Sequence, residues 1–148
     1  MFGQFVTWGL VVGGWIVVDR LSQKREARKE VRSQVDAFIA DLRTLEAQAI
    51  SYHLATTYDK AAARAIKASV EHLRIRLQYL GLLTAGRRAA LISRLRRAIT
   101  SDNFDTVQHV PQEIDGQLIG EISSATDSLV HALESGFREE FPSPWANR

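Results

Sequence analysis

Residues 31–52 read VRSQVDAFIADLRTLEAQAISY, and the spacing of the apolar residues in this stretch predicts an amphipathic helix. Apolar or aromatic side chains recur in alternating steps of four and three, at Val31, Val35, Phe38, Leu42, Leu45, Ala49 and Tyr52. Such a heptad pattern places one stripe of a helix against a neighbouring helix. Because neither Pro nor Gly occurs from Leu21 to about Thr56, we expect one helix over this whole stretch.

Three further stretches have amphipathic helical patterns. We expect helices from Thr57 or Asp59 to Gly81, from Ala85 to Thr100 behind an N-cap at Thr84, and from about Gln117 to Phe141. Their expected core residues are Ala62, Ile66, Val70, Leu73, Leu77 and Leu80, then Leu91, Ile92, Leu95, Ala98 and Ile99, then Leu118, Ile122, Ala125, Leu129, Ala132 or Leu133, and Phe137. The connections are short except for residues 101–116, where Pro111 can open one helical turn. The pattern predicts an all-α antiparallel bundle of three to four helices.

An apolar run precedes the first of these helices. Residues 2–18 read FGQFVTWGLVVGGWIVV and contain no charged side chain. As a helix they would cover roughly 26 Å, close to the ~30 Å hydrocarbon core of a bilayer. We expect residues 1–19 to form a single transmembrane helix that continues into the bundle. A cleaved signal peptide is one alternative, but the basic N-terminal region and small-residue cleavage site that it needs are missing; a buried core helix is the other.

Basic residues follow the apolar run, and none precedes it. They are Arg20, Lys24, Arg25, Arg28, Lys29 and Arg32. The positive-inside rule therefore predicts an N-terminus outside a bacterial inner membrane and a C-terminal body in the cytoplasm. These side chains serve either as a topology signal alone or also as contacts to anionic lipid headgroups. We expect residues 20–30 to be a basic juxtamembrane stalk, residues 31–141 the bundle and residues 142–148 a flexible tail.

Two features of the sequence favour association between copies of the chain. Gly9 and Gly13 have the spacing G-x-x-x-G, which lets membrane helices approach closely. The motif is a weak signal because glycine is common in membrane helices. The heptad seam of residues 31–52 is the second candidate surface for a homo-oligomer.

No catalytic or cofactor-binding motif is recognisable in the sequence. Cys is absent, which excludes a thiolate nucleophile, a disulfide and a Cys-ligated zinc ion. The histidines are His53, His72, His109 and His131. None lies in a known metal-binding spacing, so we expect ordinary surface or half-buried side chains. Because G-x-S-x-G and phosphate-binding Gly-rich loops are also missing, we expect a protein that is not an enzyme and that uses no cofactor.

The third expected helix is rich in arginine. Its basic residues are Arg87, Arg88, Arg94, Arg96 and Arg97, with no acidic residue among them. In one interpretation they bind an anion, either anionic lipid or nucleic acid. In the other they pair with acidic residues of the fourth helix or face the solvent. The small net charge of +2 favours the second interpretation and makes nucleic acid the less favoured partner.

The layout of one N-terminal span followed by a helical body resembles that of the inner-membrane spanin subunits of phage lysis cassettes. That resemblance implies a body in the periplasm, whereas residues 20–32 predict the opposite orientation. Our leading hypothesis is a non-enzymatic, single-pass inner-membrane protein whose cytoplasmic bundle is a scaffold or interaction module for an unknown protein. The alternatives are a membrane-tethered binder of anionic lipid or nucleic acid, and a phage lysis or envelope component.

Overall fold

A computed structural model describes the backbone of residues 3–101 and 104–142 and the side chains of residues 23–101 and 104–142. The helices are α1 (Gly3–Leu54), α2 (Lys60–Leu80), α3 (Ala85–Thr100) and α4 (Gln117–Glu140). All regular secondary structure in the described part of the chain is helical, so the expected all-α helical bundle is confirmed.

The chain divides into two compact units between Gln34 and Val35. In the first unit, residues 23–30 of α1 are exposed on every side of the helix. No helix among the residues with described side chains is long and apolar enough to cross a bilayer. The expected anchor at residues 1–19, with Gly9 and Gly13, lies outside those residues, as do Arg20 and the tail from residue 143 onward.

The core of the second unit is organised around the apolar seam of α1. Its buried members are Val35, Phe38, Leu42, Leu45, Ala49 and Tyr52, none of them more than 5% exposed. Because these side chains are buried within the chain itself, the seam is not available to a second copy while the bundle is folded. One of the two surfaces that the sequence suggested for self-association is therefore already occupied.

Side chains of α1 form ion pairs with α4 and with α2. Toward α4, Arg43 donates from Nη2 to Asp127 Oδ1 over 2.7 Å. Toward α2, Asp41 forms an ion pair with Arg76, whose guanidinium also lies over the Phe38 ring. These ion pairs are exposed, so each contributes at most about 1 kcal/mol and serves mainly to set the orientation of the helices.

Helix α2 begins behind Asp59, one of the two starts that the sequence offered, and ends at Gly81 as expected. The carboxylate of Asp59 accepts hydrogen bonds from the backbone N–H groups of Ala61 and Ala62, and Gly81 has the left-handed backbone with φ of 69°. The core residue of the first turn is Ala63 rather than the expected Ala62, because Ala63 shares the inner face with Ile66 three residues later. Among the other expected core residues, Leu80 and Leu91 are only half-buried.

The long connection before α4 contains no helical turn at Pro111, which corrects the expectation from the sequence. Residues 111–113 have no regular structure. This segment is instead held by a long-range contact, in which the backbone N–H of Gln112 donates to the carbonyl oxygen of His53 over 2.8 Å. This bond pairs one of the carbonyls that the end of α1 leaves without an intrahelical partner.

Close packing of α4 against the connection between α2 and α3 depends on Gly136. A Cβ atom at this position would lie 2.5 Å from the carbonyl oxygen of Leu82 and 3.3 Å from its Cβ. Both distances are too short for ordinary contact, so no larger residue fits without movement of the backbone. Gly120, on the same helix, has no such neighbour within 4 Å.

We predict that Gly136→Ala destabilises the bundle by about 1–3 kcal/mol through overpacking, despite the higher helix propensity of alanine. Gly120→Ala is the matched control and should stabilise the protein by about 0.5–1 kcal/mol, since only propensity changes. Urea unfolding of the full chain in detergent, followed by circular dichroism, measures both. Equal effects of the two substitutions would contradict the close contact at Leu82.

Candidate functional site

The arginines of α3 lie on two sides of the helix and do not form one patch. Arg88 and Arg96 line a cleft between α2 and α3. Arg94 and Arg97 line a second depression that includes residues of α4. Arg87 is exposed and lines neither. Helical geometry explains the division. Arg88 and Arg96, eight residues apart, lie on one side of the helix, whereas Arg94 and Arg97, three residues apart, lie on another.

The cleft between α2 and α3 combines basic walls with an apolar floor. We call it the basic cleft; the charged residues of its lining are Lys67, Glu71, Arg74, Arg88 and Arg96. The larger part has a volume of about 360 Å³. Buried side chains of Val70, Leu77 and Ile92 form the floor. The basic cleft therefore offers guanidinium groups next to apolar surface.

Most charges in the basic cleft already have a partner within the chain. Arg74 holds Glu71 through Nε at 2.9 Å and Nη2 at 2.6 Å, which lowers the pKa of the Glu71 carboxyl and raises the pKa of Arg74. Arg88 donates from Nη1 to the carbonyl oxygen of Leu83 over 2.6 Å. Within the described residues, the guanidinium of Arg96 has no hydrogen bond or ion pair. Arg96 is thus the cation of this cleft with the most donors left for a ligand.

On the other side of α3, Arg94 binds hydroxyl groups of α4. Its Nη2 donates to Ser124 Oγ over 3.0 Å and its Nη1 to Ser128 Oγ over 3.1 Å. Of the two structural alternatives for these arginines, pairing with acidic residues of α4 or facing the solvent, the first does not hold at Arg94, which is exposed and bonds to hydroxyl groups. Asp127 neighbours Ser128 in sequence but points away from α3, because adjacent residues on a helix face different directions, and it pairs with Arg43 of α1 instead.

A second cluster of polar groups surrounds the C-terminal end of α1. His53 is fully buried, and its Nε2 donates to the carbonyl oxygen of Ile99 over 2.9 Å. Its Nδ1 has no hydrogen-bond partner in the described part of the chain, which fits the neutral ring. Burial lowers the pKa of His53 below the ordinary value of 6.5. The expectation of surface or half-buried histidines is therefore wrong here, because His53 borders the seam at Tyr52 and packs near Phe104.

Asp105 fixes the start of the long connection to α1 and α2. Its backbone N–H donates to the Tyr52 hydroxyl over 3.0 Å, and its carboxylate accepts from the Tyr58 hydroxyl over 2.6 Å and from the Lys67 ammonium. The bond from Lys67 lowers the pKa of Asp105, and the carboxylate raises the pKa of Tyr58 to about 12. Farther along, His109 donates from Nε2 to the carbonyl oxygen of Ala55 over 2.9 Å. These contacts hold the connection in place.

The described residues contain no group of three or more His, Asp or Glu side chains placed to hold a metal ion. The polar side chains of the cluster at the end of α1 bond mainly to backbone carbonyls and to one another, as at His53 and Asp105. The cluster therefore explains the stability of the connection without assigning it a reaction.

Helix α2 carries a second heptad stripe that the analysis of the sequence missed. Its members, all exposed, are Ala61, Ala65, Ala68, His72, Ile75 and Tyr79, in steps of four, three, four, three and four. We call this stripe the outer seam; it lies opposite the buried face of α2. Ile75 is 40% exposed and Tyr79 is 83% exposed. Counting apolar spacing on both faces of the helix would have found it.

Comparison with known proteins does not assign the chain to a family. No protein-family model matches it, and neither a curated protein nor a solved structure matches it significantly.

We predict that the burial of neutral His53 makes the bundle less stable in acid. Because its pKa is lower in the folded than in the unfolded state, the unfolded chain binds more protons below about pH 6.5. The free energy of unfolding should then fall on acidification, from pH 6.5 down to the lowered pKa, by at most about 1.4 kcal/mol per pH unit from this group.

Urea unfolding of the full chain in detergent at pH 7, 6 and 5 measures this slope. His53→Leu should be less stable at pH 7, because the Ile99 carbonyl loses its donor, but should show a flatter slope. His131→Leu, at an exposed position, is the matched control and should keep the slope of the unsubstituted protein. An unchanged slope in His53→Leu would contradict the assignment.

Proposed function

We propose that this chain is a non-enzymatic, single-pass membrane protein whose helical bundle is a protein-interaction module. The outer seam of α2 is the observation that carries the proposal. Alanine, isoleucine or tyrosine occupies five of its six heptad positions, and Ile75 and Tyr79 expose apolar surface without a partner in the described part of the chain. A heptad stripe of this kind is the form in which one helix contacts another.

The membrane part of the proposal rests on the uncharged residues 2–18 and on the basic residues behind them. In the stalk, Lys24, Arg25, Arg28 and Lys29 are all exposed and therefore free to act as a topology signal or to meet lipid headgroups. We propose an N-terminus outside a bacterial inner membrane and a bundle in the cytoplasm.

The proposal that the protein is not an enzyme rests on how its polar groups are used. The buried His53 bonds to a backbone carbonyl, and Asp105 is held by Tyr58 and Lys67. The basic cleft contains Ser93 but no histidine or unpaired carboxylate in its lining that would activate a nucleophile. An interaction module accounts for the exposed seam without requiring such a group.

C-terminal fusions to green fluorescent protein and to alkaline phosphatase, combined with membrane fractionation, test the membrane arrangement. We predict fluorescence without phosphatase activity, and a product in the membrane fraction. Phosphatase activity would place the bundle outside the cytoplasm and would favour the alternative of a lysis or envelope component. A product that does not sediment with membranes would contradict the anchor.

A second candidate function is binding of an anionic amphiphile in the basic cleft. Among the residues that the structure describes, none forms a hydrogen bond or ion pair with the Arg96 guanidinium, and the apolar floor lies beside it. This combination suits a ligand with a phosphate headgroup next to acyl chains, such as an anionic phospholipid. Nucleic acid fits less well, because Glu71 lies in the lining and no aromatic side chain is there to stack on a base.

A short-chain phosphatidylglycerol tests this candidate with the full chain in detergent. We predict that it raises the melting temperature of the unsubstituted protein and of Arg87→Glu, because a ligand that binds only the folded state stabilises it. Arg96→Glu should lose the shift. Short-chain phosphatidylcholine is the control lipid and should have no effect. Equal shifts in Arg87→Glu and Arg96→Glu would exclude a site in the basic cleft.

A further inference from the structure

We infer that the partner of the outer seam is a second copy of this chain, bound through α2 in a parallel pair of helices. The inference rests on the proposed function, because it names the partner of the interaction module. It draws on the order of residues along the seam, on the charges that flank it and on the small area that it offers.

The order of residues suits a parallel pair in which each seam residue meets its own counterpart. The steps of the seam place Ala65, His72 and Tyr79 at heptad position a, and Ala61, Ala68 and Ile75 at position d. The alanine layers allow the backbones to approach closely, and the Ile75 and Tyr79 layers bury the larger apolar groups. His72 is the one polar residue of the seam, and a single polar residue at position a specifies the register of a pair.

The charges beside the seam favour a parallel over an antiparallel pair. Position g is held by Arg64, Glu71 and Gln78, and position e by Ala62, Ser69 and Arg76. In a parallel pair, a residue at g meets the residue at e five positions later in the other helix. Glu71 then meets Arg76 of the other copy, and symmetry forms this ion pair twice. An antiparallel pair with the seam in register brings the two Glu71 carboxylates together.

Glu71 and Arg76 can each form this additional ion pair between the two copies. The side chain of Glu71 is 54% exposed although Arg74 holds it, and the side chain of Arg76 is 30% exposed although it pairs with Asp41. A carboxylate accepts several hydrogen bonds and a guanidinium donates five, so neither existing contact uses up the group. The additional ion pair contributes more to the register of the two helices than to the affinity of the dimer.

The small size of the seam indicates where the dimer forms. Six side chains per copy make a smaller contact than the roughly 20–30 residues per side of a standard stable interface. Two chains held in one bilayer have a high effective concentration, so a weak contact suffices there. We therefore expect the dimer in membranes and its dissociation on dilution in detergent.

The absence of cysteine from the chain makes disulfide cross-linking a clean test. Single substitutions Ala65→Cys, Ala68→Cys and Ile75→Cys are introduced into the full chain, and membranes are treated with copper phenanthroline. Ala90→Cys, at an exposed position of α3, is the matched control. We expect covalent dimers at the three seam positions and not at the control. No more dimer at the seam than at Ala90 would overturn the second copy as partner.

The position of the cross-link also tests the orientation. In an antiparallel pair with the seam in register, Ala65 lies opposite Ile75 and far from its own counterpart. Ala65→Cys alone would then fail to cross-link, whereas a mixture of chains with Ala65→Cys and chains with Ile75→Cys would form dimers. That result would overturn the parallel arrangement.

Ala68→Glu, combined with Ala65→Cys, should abolish the cross-link because it places two carboxylates in one layer of the dimer. Ala90→Glu in the same background should leave the cross-link intact. Circular dichroism confirms that each variant is folded, as expected from the exposure of both positions. A cross-link that survives Ala68→Glu would overturn the seam as the contact surface.

Separation of each cell lysate into membrane and soluble fractions, followed by cross-linking of both, separates this inference from the proposed function. Chains in the membrane fraction that do not cross-link at the seam leave the interaction module in place but require a different protein as its partner. Chains that cross-link at the seam without sedimenting with membranes support the second copy and contradict the anchor. Each result therefore decides one statement independently of the other.

Discussion

Burial of the α1 seam is the interaction on which the rest of the bundle depends. Phe38, Leu42 and Leu45 are each at most 1% exposed, and complete burial of one such side chain contributes about 1.5–3 kcal/mol. In proteins, most of the stability of a helix with an apolar stripe comes from packing of that stripe, here against other parts of the same chain. The seam is thereby used within the chain. Any partner has to bind to a surface that remains exposed, such as the outer seam of α2 or the basic cleft.

The C-terminal end of α1 holds the long connection between α3 and α4 in place. The last carbonyls of α1 and the residues after it need donors, and Gln112 and His109 supply them from the long connection. Phe104 packs on Tyr52, and Asp105 bonds to the hydroxyl of the same tyrosine. Polar residues that look available for chemistry in the sequence are in this way required by the fold.

The helices and most of their core residues were predictable because periodicity and capping are local properties of the sequence. Gly81 marked the end of α2, and Asp59 was one of the two candidates for its start, since the backbone conformations that these residues favour depend on few neighbours. The burial of His53 was not predictable, because it depends on Ile99, which is distant in sequence. The division of the α3 arginines has the same origin: it depends on which helices lie on each side of α3.

Helix propensity is a simpler explanation for the alanines of the outer seam. Alanine is the best helix former, so Ala61, Ala65 and Ala68 on an exposed face would stabilise α2 without any partner. That explanation does not extend to Ile75 and Tyr79. Both have lower helix propensity than the Lys, Glu or Arg that usually cover such positions, and both leave apolar surface in water. Propensity also gives no reason for the stripe to continue in heptad steps through these two residues. The proposed contact with another helix accounts for the alanines and the two larger residues together.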